Sequence, residues 1–490
     1  MRYKIPDHSF QKLATLLVVC FLLISLGAGY WGVVRADELY EDWDFPRQQQ
    51  RAFEVDRGSI LAADGTTLVE TRFGTEGQAT RVYHFPSLAP ITGHWTIRPI
   101  VAPIWQKTGL ERAFDTYLSG QEGQRGALLD NIMHEKIVGA DIVTTIDLDL
   151  QFQADALLGE RAGAVVVMDP KTGSILALSS FPTYDPNSFV ANANQLIVNA
   201  ANPTLNRATR GLYTPGSVFK VITLAGALAQ DQTTSNESFE NEEGILFVEG
   251  TGYVIRDGSD FPKDNSPYDL AHALAWSSNV TFAQLGLRMN ADGIRQISND
   301  FGFGEAPPLE IPAEASRVGS DATLFKREGL ADTAYGQGEL LVTPLQMALV
   351  TSAIVNEGVA LEPRLVDSIR SPEGDTIVQY RPRPWKQALS RGVANETKEA
   401  MVISAADGFA QAGAPAGIPI GGKTGTAQLA PDTAPHAWFI AFAPAENPQL
   451  VISVIVENGG SGGDIAAPIA RELIRTALQP SFLGQQKSTP

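Results

Sequence analysis

The chain has 490 residues, of which 44% are hydrophobic and 19% charged, so it is globular and long enough for two or three domains. Its net charge of −18, without any block of lysine and arginine, argues against nucleic acid as the main ligand. A single cysteine, Cys20, excludes an intrachain disulfide and a cysteine-based metal cluster, and the six histidines are scattered, so we expect no metal and no cofactor.

The first predicted element is an apolar helix. Residues 13–34 carry no charge, and 22 residues of helix span about 33 Å, which matches the hydrocarbon thickness of a bilayer. Three basic residues precede this segment and one follows it directly, which places residues 1–12 in the cytoplasm and the remainder outside. A cleaved signal peptide and a buried core helix are the alternatives. The apolar run exceeds a usual signal-peptide core, so we predict a retained anchor.

Residues 35–150 contain short runs typical of strands, such as Phe53–Val55 and Thr67–Glu70. Asp64-Gly65 lies between short apolar runs and predicts a hairpin turn. From residue 151 to 482 we predict strands, then a helical block, then strands again, which indicates an α+β domain with helices on an antiparallel sheet. The segment 185–213 is polar and is expected to be a loop, residues 230–266 are a polar, glycine-containing insertion, and residues 483–490 form a polar tail.

The strongest local signal is the segment Thr214–Lys220. Thr214 is a preferred N-cap and the proline after it a preferred first helical residue, so a helix is predicted to begin here. Ser217 and Lys220 then share one face of it. The following nine residues are apolar on nearly every side, which predicts burial, and burial lowers the pKa of a lysine. A serine beside a deprotonatable lysine is the outline of an activated nucleophile.

Two further motifs follow in the chain, Ser277-x-Asn279 and Lys423-Thr424-Gly425. Each of the three motifs is weak alone, because the chain repeats the first at residues 9–12 and the third at residues 171–173. All three in this order are a strong signal, because they define the serine acyltransferases that recognise penicillin.

Longer stretches around these motifs resemble class B penicillin-binding proteins, which are peptidoglycan D,D-transpeptidases. The stretches that carry the resemblance are Asn206-Arg207, residues 213–220, Gly336-Gln337-Gly338, residues 343–346 and residues 423–427. Residues 57–60, followed by Asp64-Gly65, also resemble the start of the pedestal domain of that family. The resemblance implies a penicillin-binding transpeptidase fold at residues 151–482, with helices on both faces of an antiparallel sheet and a helical subdomain. A small β-rich pedestal at residues 35–150 and one transmembrane helix at residues 13–34 would precede it.

The resemblance also implies roles for these residues. Ser217 would attack the carbonyl of a D-Ala-D-Ala stem peptide, and a neutral Lys220, crowded by cationic Lys423, would take its proton. Ser277 would relay that proton to the departing D-alanine, and Asn279 would bind the amide of the substrate.

The third motif would bind the remainder of the substrate. The strand Lys423–Thr426, which includes Gly425, would pair with the substrate backbone, and the hydroxyls of Thr424 and Thr426 would bind the terminal carboxylate. The N–H groups of Ser217 and Thr426 would form the oxyanion hole.

Stem peptides and β-lactams are the expected ligands, and the expected location is the bacterial cytoplasmic membrane, with the catalytic domain outside. Because we find no glycosyltransferase domain, we also expect a polytopic glycan polymerase of the SEDS type as partner. A D,D-carboxypeptidase, a β-lactamase-like hydrolase and a penicillin sensor or scaffold stay open as alternatives. No Glu-x-x-Leu-Asn segment supplies a deacylating glutamate, which disfavours one class of β-lactamase. Roles in elongation, division and sporulation are equally compatible with the sequence.

Overall fold

Helices and strands alternate along most of the chain. The computed structural model describes residues 7–30, 55–75, 79–96, 107–122, 137–240, 244–259, 261–262, 266–428 and 433–478. The α-helices in these ranges are α1 (Asp7–Gly29), α2 (Ala89–Thr92), α3 (Gly109–Ala113), α4 (Asp115–Leu118), α5 (Leu148–Leu158), α6 (Phe189–Val198), α7 (Arg207–Arg210), α8 (Lys220–Ala229), α9 (Leu270–Ala275), α10 (Asn279–Asp300), α11 (Asp321–Leu324), α12 (Arg327–Ala334), α13 (Pro344–Val355), α14 (Arg391–Asp407) and α15 (Gly462–Ala477). The strands are β1 (Ile60–Leu61), β2 (Thr67–Phe73), β3 (Ala79–Tyr83), β4 (Asp141–Thr144), β5 (Gly163–Met168), β6 (Ile175–Phe181), β7 (Ile245–Val248), β8 (Tyr253–Arg256), β9 (Val359–Leu361), β10 (Val366–Arg370), β11 (Thr376–Gln379), β12 (Pro384–Gln387), β13 (Gly421–Ala427), β14 (His436–Ala443) and β15 (Leu450–Val456).

Five of these strands form an antiparallel sheet in the order β13-β14-β15-β5-β6. Side chains alternate between its faces. On β5, Val165 and Val167 join a core with α5 and α15, whereas Val166 and Met168 join a core with α8 and α13. Because helices cover both faces, β14 and β15 are buried along their whole length. The α+β architecture predicted from the sequence, with helices on both faces of the sheet, is confirmed.

A second sheet of six strands has the order β11-β10-β4-β1-β2-β3. The predicted turn at Asp64-Gly65 joins β1 and β2, where Gly65 has a φ of +86° and the Thr66 N–H donates to Asp64 Oδ1 at 2.9 Å. Strands β10 and β11 come from residues 366–379, so this sheet also draws on chain beyond the predicted pedestal segment. The boundaries at residues 35, 150 and 482 therefore stay predictions, and the strand predicted at Phe53–Val55 and the tail at 483–490 lie wholly or partly outside the described residues.

The N-terminal helix α1 is apolar and exposed. Residues Gln11–Gly29, which are 19 in number, have a mean hydropathy of 2.1 and none of them is buried in the protein. This helix is about 29 Å long and fits a single-pass membrane anchor. The last four residues of the predicted anchor, 31–34, lie outside the described residues.

Two polar segments contain regular structure. Helices α6 and α7 lie within residues 185–213, and α6 buries Phe189 and Ala193, four residues apart. The prediction of a loop there was wrong because the polar composition of the segment obscured a short helical period. Within the predicted insertion at 230–266, residues 245–256 form the hairpin of β7 and β8, with Ile245 opposite Arg256.

Candidate active site

Ser217 lies in a short 3₁₀ turn, Gly216–Phe219, that leads directly into α8. A 3₁₀ turn has three residues per turn and aligns side chains at i and i+3, so Lys220 lies on the same face as Ser217. Lys220 is wholly buried, whereas Ser217 is partly exposed. The first motif therefore combines a partly exposed serine with a buried lysine on one face.

The turn that carries Ser217 begins one residue later than the sequence predicts, at Gly216 instead of Pro215. Gly216 has a φ of +58°, a conformation that favours glycine, so the backbone reverses there and Thr214 is not an N-cap. The Thr214 carbonyl instead accepts a hydrogen bond from Trp438 Nε1 at 3.0 Å. The Gly216 N–H donates to the Gly336 carbonyl at 2.9 Å, and a methyl group at Gly216 would lie 2.9 Å from the carbonyl oxygen of Thr426. The turn is therefore held between the Gly336 loop and β13.

The Lys220 amine connects the first motif to the second. Its Nζ lies 2.6 Å from the Ser277 carbonyl oxygen, 2.7 Å from Asn279 Oδ1 and 3.1 Å from Ser277 Oγ. The Phe282 ring lies 5.8 Å from the same nitrogen. Polar contacts on one side and an aromatic face on the other fix the position of the amine.

Ser277 and Asn279 form a sharp corner between α9 and α10. Ser277 has a φ of +57°, which is rare outside glycine and is held only where the surrounding structure enforces it, at a cost of about 1–3 kcal/mol. Ser278, which is buried, caps α10 by accepting from the Thr281 N–H at 3.0 Å. Because Ser278 caps the helix, the side-chain amide of Asn279 is not needed as a cap and contacts Lys220 instead.

The third motif lies on the edge strand β13, which is paired with β14 alone in the described sheet. Lys423 is wholly buried, and its Nζ donates to Ser277 Oγ at 2.9 Å and to the Thr424 carbonyl at 3.1 Å. A methyl group at Gly425 would lie 2.9 Å from the carbonyl oxygen of Pro215, so glycine at this position lets β13 touch the nucleophile turn.

The two threonines of β13 differ in exposure. Thr424 is buried, whereas Thr426 is exposed and its Oγ1 accepts from the Gly462 N–H, the first residue of α15, at 3.4 Å. Glycine is required at position 462, because a methyl group there would lie 2.3 Å from the carbonyl oxygen of Gly425. The N-terminus of α15 therefore packs against the strand that carries the third motif.

Burial shifts both lysines towards the neutral form. Desolvation lowers the pKa of Lys220 well below its ordinary value, and the charge of Lys423 lowers it further, while the carboxylate of Asp257 opposes the shift. Desolvation lowers the pKa of Lys423 to about 7. Of the two, Lys220 is therefore the amine that we expect to be neutral at physiological pH.

The hydrogen-bond partners of Lys220 are compatible with a neutral amine. A neutral amine has two hydrogens and one lone pair, and both the Ser277 carbonyl and Asn279 Oδ1 can only accept. If the two hydrogens go to these acceptors, the lone pair is left for a hydroxyl, either that of Ser277 or that of Ser217. A neutral Lys220 therefore has the free lone pair that a base requires.

The two repeated motifs are not part of the site. Lys171 is exposed in the turn between β5 and β6, where its Nζ donates to Asn447 Oδ1 at 2.6 Å. The first repeat, residues 9–12, belongs to α1. Neither copy reaches the cluster around Ser277.

Sequence reasoning missed two elements around the site. Arg256, the last residue of β8, and Asp257, which follows it, contact the Ser277–Asn279 corner. The short apolar runs 245–248 and 253–255, on either side of Gly250 and Gly252, could have predicted this hairpin. Glu457, at the end of β15, was also missed, and no local pattern identified it.

The comparisons with known proteins decide the family. Residues 163–475 match the family model described as penicillin binding protein transpeptidase domain. The chain belongs to this family. It is 35% identical over 510 residues to the peptidoglycan D,D-transpeptidase PbpA of Mycolicibacterium smegmatis. The alignment covers 96% of this chain and 99% of that protein. It is 33% identical to the peptidoglycan D,D-transpeptidase MrdA of Haemophilus influenzae, over 75% of this chain and 62% of that protein.

Solved structures agree with this membership. A ceftriaxone acyl-enzyme complex of penicillin-binding protein A from M. tuberculosis has a TM-score of 0.79 and 34% identity to this chain. The structural match covers 88% of this chain and 100% of the chain in that complex. The predicted resemblance to class B penicillin-binding proteins and the predicted transpeptidase fold are both confirmed.

Proposed function

We propose that this penicillin-binding protein is a serine D,D-transpeptidase that crosslinks peptidoglycan stem peptides and is acylated by β-lactams at Ser217. The convergence of Lys220, Ser277 and Lys423 through hydrogen bonds of 2.6–3.1 Å carries the proposal. The names of the relatives, peptidoglycan D,D-transpeptidases, and the acyl-enzyme complexes of a structural neighbour support it.

Acylation comes first. Ser217 Oγ attacks the carbonyl carbon of the penultimate D-alanine, and its proton passes to neutral Lys220. The N–H groups of Ser217 and Thr426 stabilise the oxyanion, each donor being worth roughly 3 kcal/mol of barrier. The C–N bond then breaks, and the proton travels through Ser277 Oγ to the amine of the departing D-alanine. An ester at Ser217 remains.

Transfer completes the reaction. The amine of a second stem peptide attacks the ester carbon, the new amide bond forms as the ester C–O bond to Ser217 breaks, and the proton released by the amine returns to Ser217 Oγ through Lys220. During both steps the edge of β13 is the surface to which an extended substrate backbone pairs. Lys423 in its charged form, with the hydroxyls of Thr424 and Thr426, suits the terminal carboxylate. Asn279 binds the substrate amide.

The nucleophile is tested by labelling the full chain with a fluorescent penicillin. Ser217→Ala should lose the covalent label, because Ser217 carries the partly exposed hydroxyl on the face that it shares with the Lys220 amine. Lys171→Ala, which alters the exposed copy of the third motif, should keep it. Labelling of the Ser217→Ala protein at the wild-type level would show that the nucleophile is a different residue.

A second measurement separates the transferase from the hydrolytic and inactive alternatives. The enzyme is incubated with a stem-peptide thioester and a D-amino acid acceptor, and the products are separated by chromatography. A transpeptidase forms the acceptor adduct. Free acid as the sole product would favour a carboxypeptidase or β-lactamase-like hydrolase, and no product from an acylated enzyme would favour a sensor or scaffold.

The membrane arrangement follows from α1. We infer that α1 is a retained anchor in the bacterial cytoplasmic membrane, with residues 1–12 in the cytoplasm and the transpeptidase domain outside, because basic residues precede the apolar segment. The protein then requires a separate membrane polymerase, of the polytopic SEDS type, to supply glycan strands. Protease protection of the transpeptidase domain in intact spheroplasts would contradict the orientation. Failure of any polymerase to co-purify after crosslinking would contradict the partnership.

A further inference from the structure

The hairpin of β7 and β8 supports the Ser277–Asn279 corner from outside the three motifs. The carbonyl of Arg256, the last residue of β8, accepts a hydrogen bond from Asn279 Nδ2 at 2.9 Å. Asn279 therefore bridges the hairpin and the active site, because its Oδ1 accepts from Lys220 at 2.7 Å. A displacement of the end of the hairpin would move the amide that holds the Lys220 amine.

The next residue, Asp257, binds the same corner through its carboxylate. Ser278 Oγ donates to its two oxygens at 3.1 and 3.2 Å, and the Val280 N–H donates to Oδ1 at 3.0 Å. Both donors belong to the start of α10, where N–H groups lack partners within the helix and a negative charge is favourable. Asp257 thus fixes residues 278 and 280, on either side of Asn279.

Asp257 also acts electrostatically on Lys220. The charged side chains that act on Lys220 are Lys423 on β13, which disfavours a positive charge at Lys220, and Asp257, which favours one. They act from different elements, because β13 belongs to the central sheet and Asp257 follows the separate hairpin. The charge state of the base therefore depends on a residue outside the three motifs.

We propose that Asp257 is a positioning residue for acylation, which fixes the Ser277–Asn279 corner against Lys220 and acts as the counter-charge to Lys220. The inference rests on the proposed function, because it assumes that Lys220 is the base for Ser217. It adds a residue of the 230–266 segment to the machinery. Asp257 acts on the nucleophile through Ser278, Asn279 and Lys220.

The hairpin is rigid enough for this task. Val248 and Ile255 pack with Ala283 of α10 and Ala331 of α12 in a buried cluster. Near the hairpin turn, the Tyr253 hydroxyl donates to both carboxylate oxygens of Asp332 at 3.0 Å. Val248 and Tyr253 lie opposite each other in the hairpin and Ile255 lies two residues before Asp257, so these contacts hold both strands against α10 and α12.

The test measures the rate of acylation of the full chain by a fluorescent penicillin as a function of pH. Asp257→Asn keeps an oxygen that can accept from Ser278 and Val280 but removes the charge. We expect the rate at neutral pH to fall about tenfold, because hydrogen bonds to a charged acceptor become hydrogen bonds to a neutral one. Without the carboxylate, Lys220 loses its proton at lower pH. The acidic limb of the plot of acylation rate against pH, where the rate rises with pH, should therefore move to lower pH.

Two further variants make the test specific. Asp257→Glu, which restores the charge on a longer side chain, should return the acidic limb towards the wild-type position. Glu249→Gln removes one charge from the exposed turn of the same hairpin, where Glu249 pairs with Arg327 at 3.8 Å, and should change neither the rate nor the limb. A thermal unfolding curve for each variant shows that it is folded.

An Asp257→Asn protein with the wild-type rate and the wild-type acidic limb would overturn the inference. A lower rate with an unmoved limb would also overturn it, because a purely structural contact would have the same effect. Either result leaves the proposed function intact as long as Ser217→Ala loses the label. Retention of the label in Ser217→Ala would instead refute the proposed function, whatever Asp257→Asn does.

Discussion

Replacement of Lys423 by methionine should make the stability of the protein depend less on pH. Lys423 is wholly buried, and this burial lowers its pKa to about 7 from an ordinary value of 10.5. Between these two pH values the unfolded chain holds a proton that the folded protein has released. The unfolded state therefore binds more protons, so the free energy of unfolding of the wild type rises with pH in this window.

The size of the effect follows from the shift. At pH 7 the displaced pKa costs the folded protein about 4 kcal/mol, and raising the pH to 9 returns about 2 kcal/mol of it. Methionine has nearly the same length and no proton to release. The hydrogen bonds of Lys423 to Ser277 Oγ and the Thr424 carbonyl are lost in the variant at either pH. Their loss changes the difference in free energy of unfolding between the two proteins by the same amount at both pH values, so it does not change the pH dependence of that difference.

The assay is urea denaturation of the full chain in detergent, followed by tryptophan fluorescence at pH 7, 8 and 9. We expect the free energy of unfolding of Lys423→Met, relative to wild type, to decrease by about 2 kcal/mol from pH 7 to pH 9. Lys171→Met removes the same charge from an exposed turn and should show no such change. A constant difference between Lys423→Met and wild type over this range would refute the reasoning, because it would mean that Lys423 keeps its proton when buried.

Two further predictions concern the scaffold around the nucleophile. Gly216→Ala should reduce acylation by penicillin at least about tenfold and lower the melting temperature, because alanine disfavours a φ of +58° and its methyl group would lie 2.9 Å from a backbone oxygen. Gly250→Ala, at a φ of +79° with open space around it, is the matched control, and an equal loss of acylation in it would contradict the packing argument. Glu457→Gln should destabilise the fold by about 3 kcal/mol, because it leaves the largely buried Arg207 without its counter-charge at 2.7 Å; a melting temperature equal to that of wild type would contradict this.

Much of the fold could be predicted because it is encoded locally. The apolar residues after Lys220 predict a buried helix, and α8 is buried on nearly every side. The start of α9 after Asp269 and the break at Ser277 also follow from capping and turn chemistry. The prediction of a loop at 185–213 was wrong, because α6 is short and many of its residues are polar or small.

The geometry of the site depends on contacts between distant segments, which local patterns do not report. The reversal at Gly216 is required by the approach of Gly336 and β13, which are more than a hundred residues further along the chain. Ser277, which has a positive φ, likewise accepts from the Lys220 amine, and the β7–β8 hairpin contacts the residues that follow it. Sequence reasoning could therefore name Ser217, Lys220 and Ser277 from their motifs, but it placed the start of the turn wrongly and missed Asp257.

These contacts explain why the site needs so many separate elements. Two buried amines and a serine with positive φ each destabilise the fold, by amounts comparable to a large part of the total stability of a domain. No single element can hold them, because each would relax by moving its side chain to water. Here α8 brings one amine, the edge strand β13 brings the other, and the α9–α10 corner is fixed by both and by the hairpin behind it. The same surroundings that bury Lys220 and lower its pKa thus hold its amine at the Ser277–Asn279 corner, so its lowered pKa and its position have one structural origin.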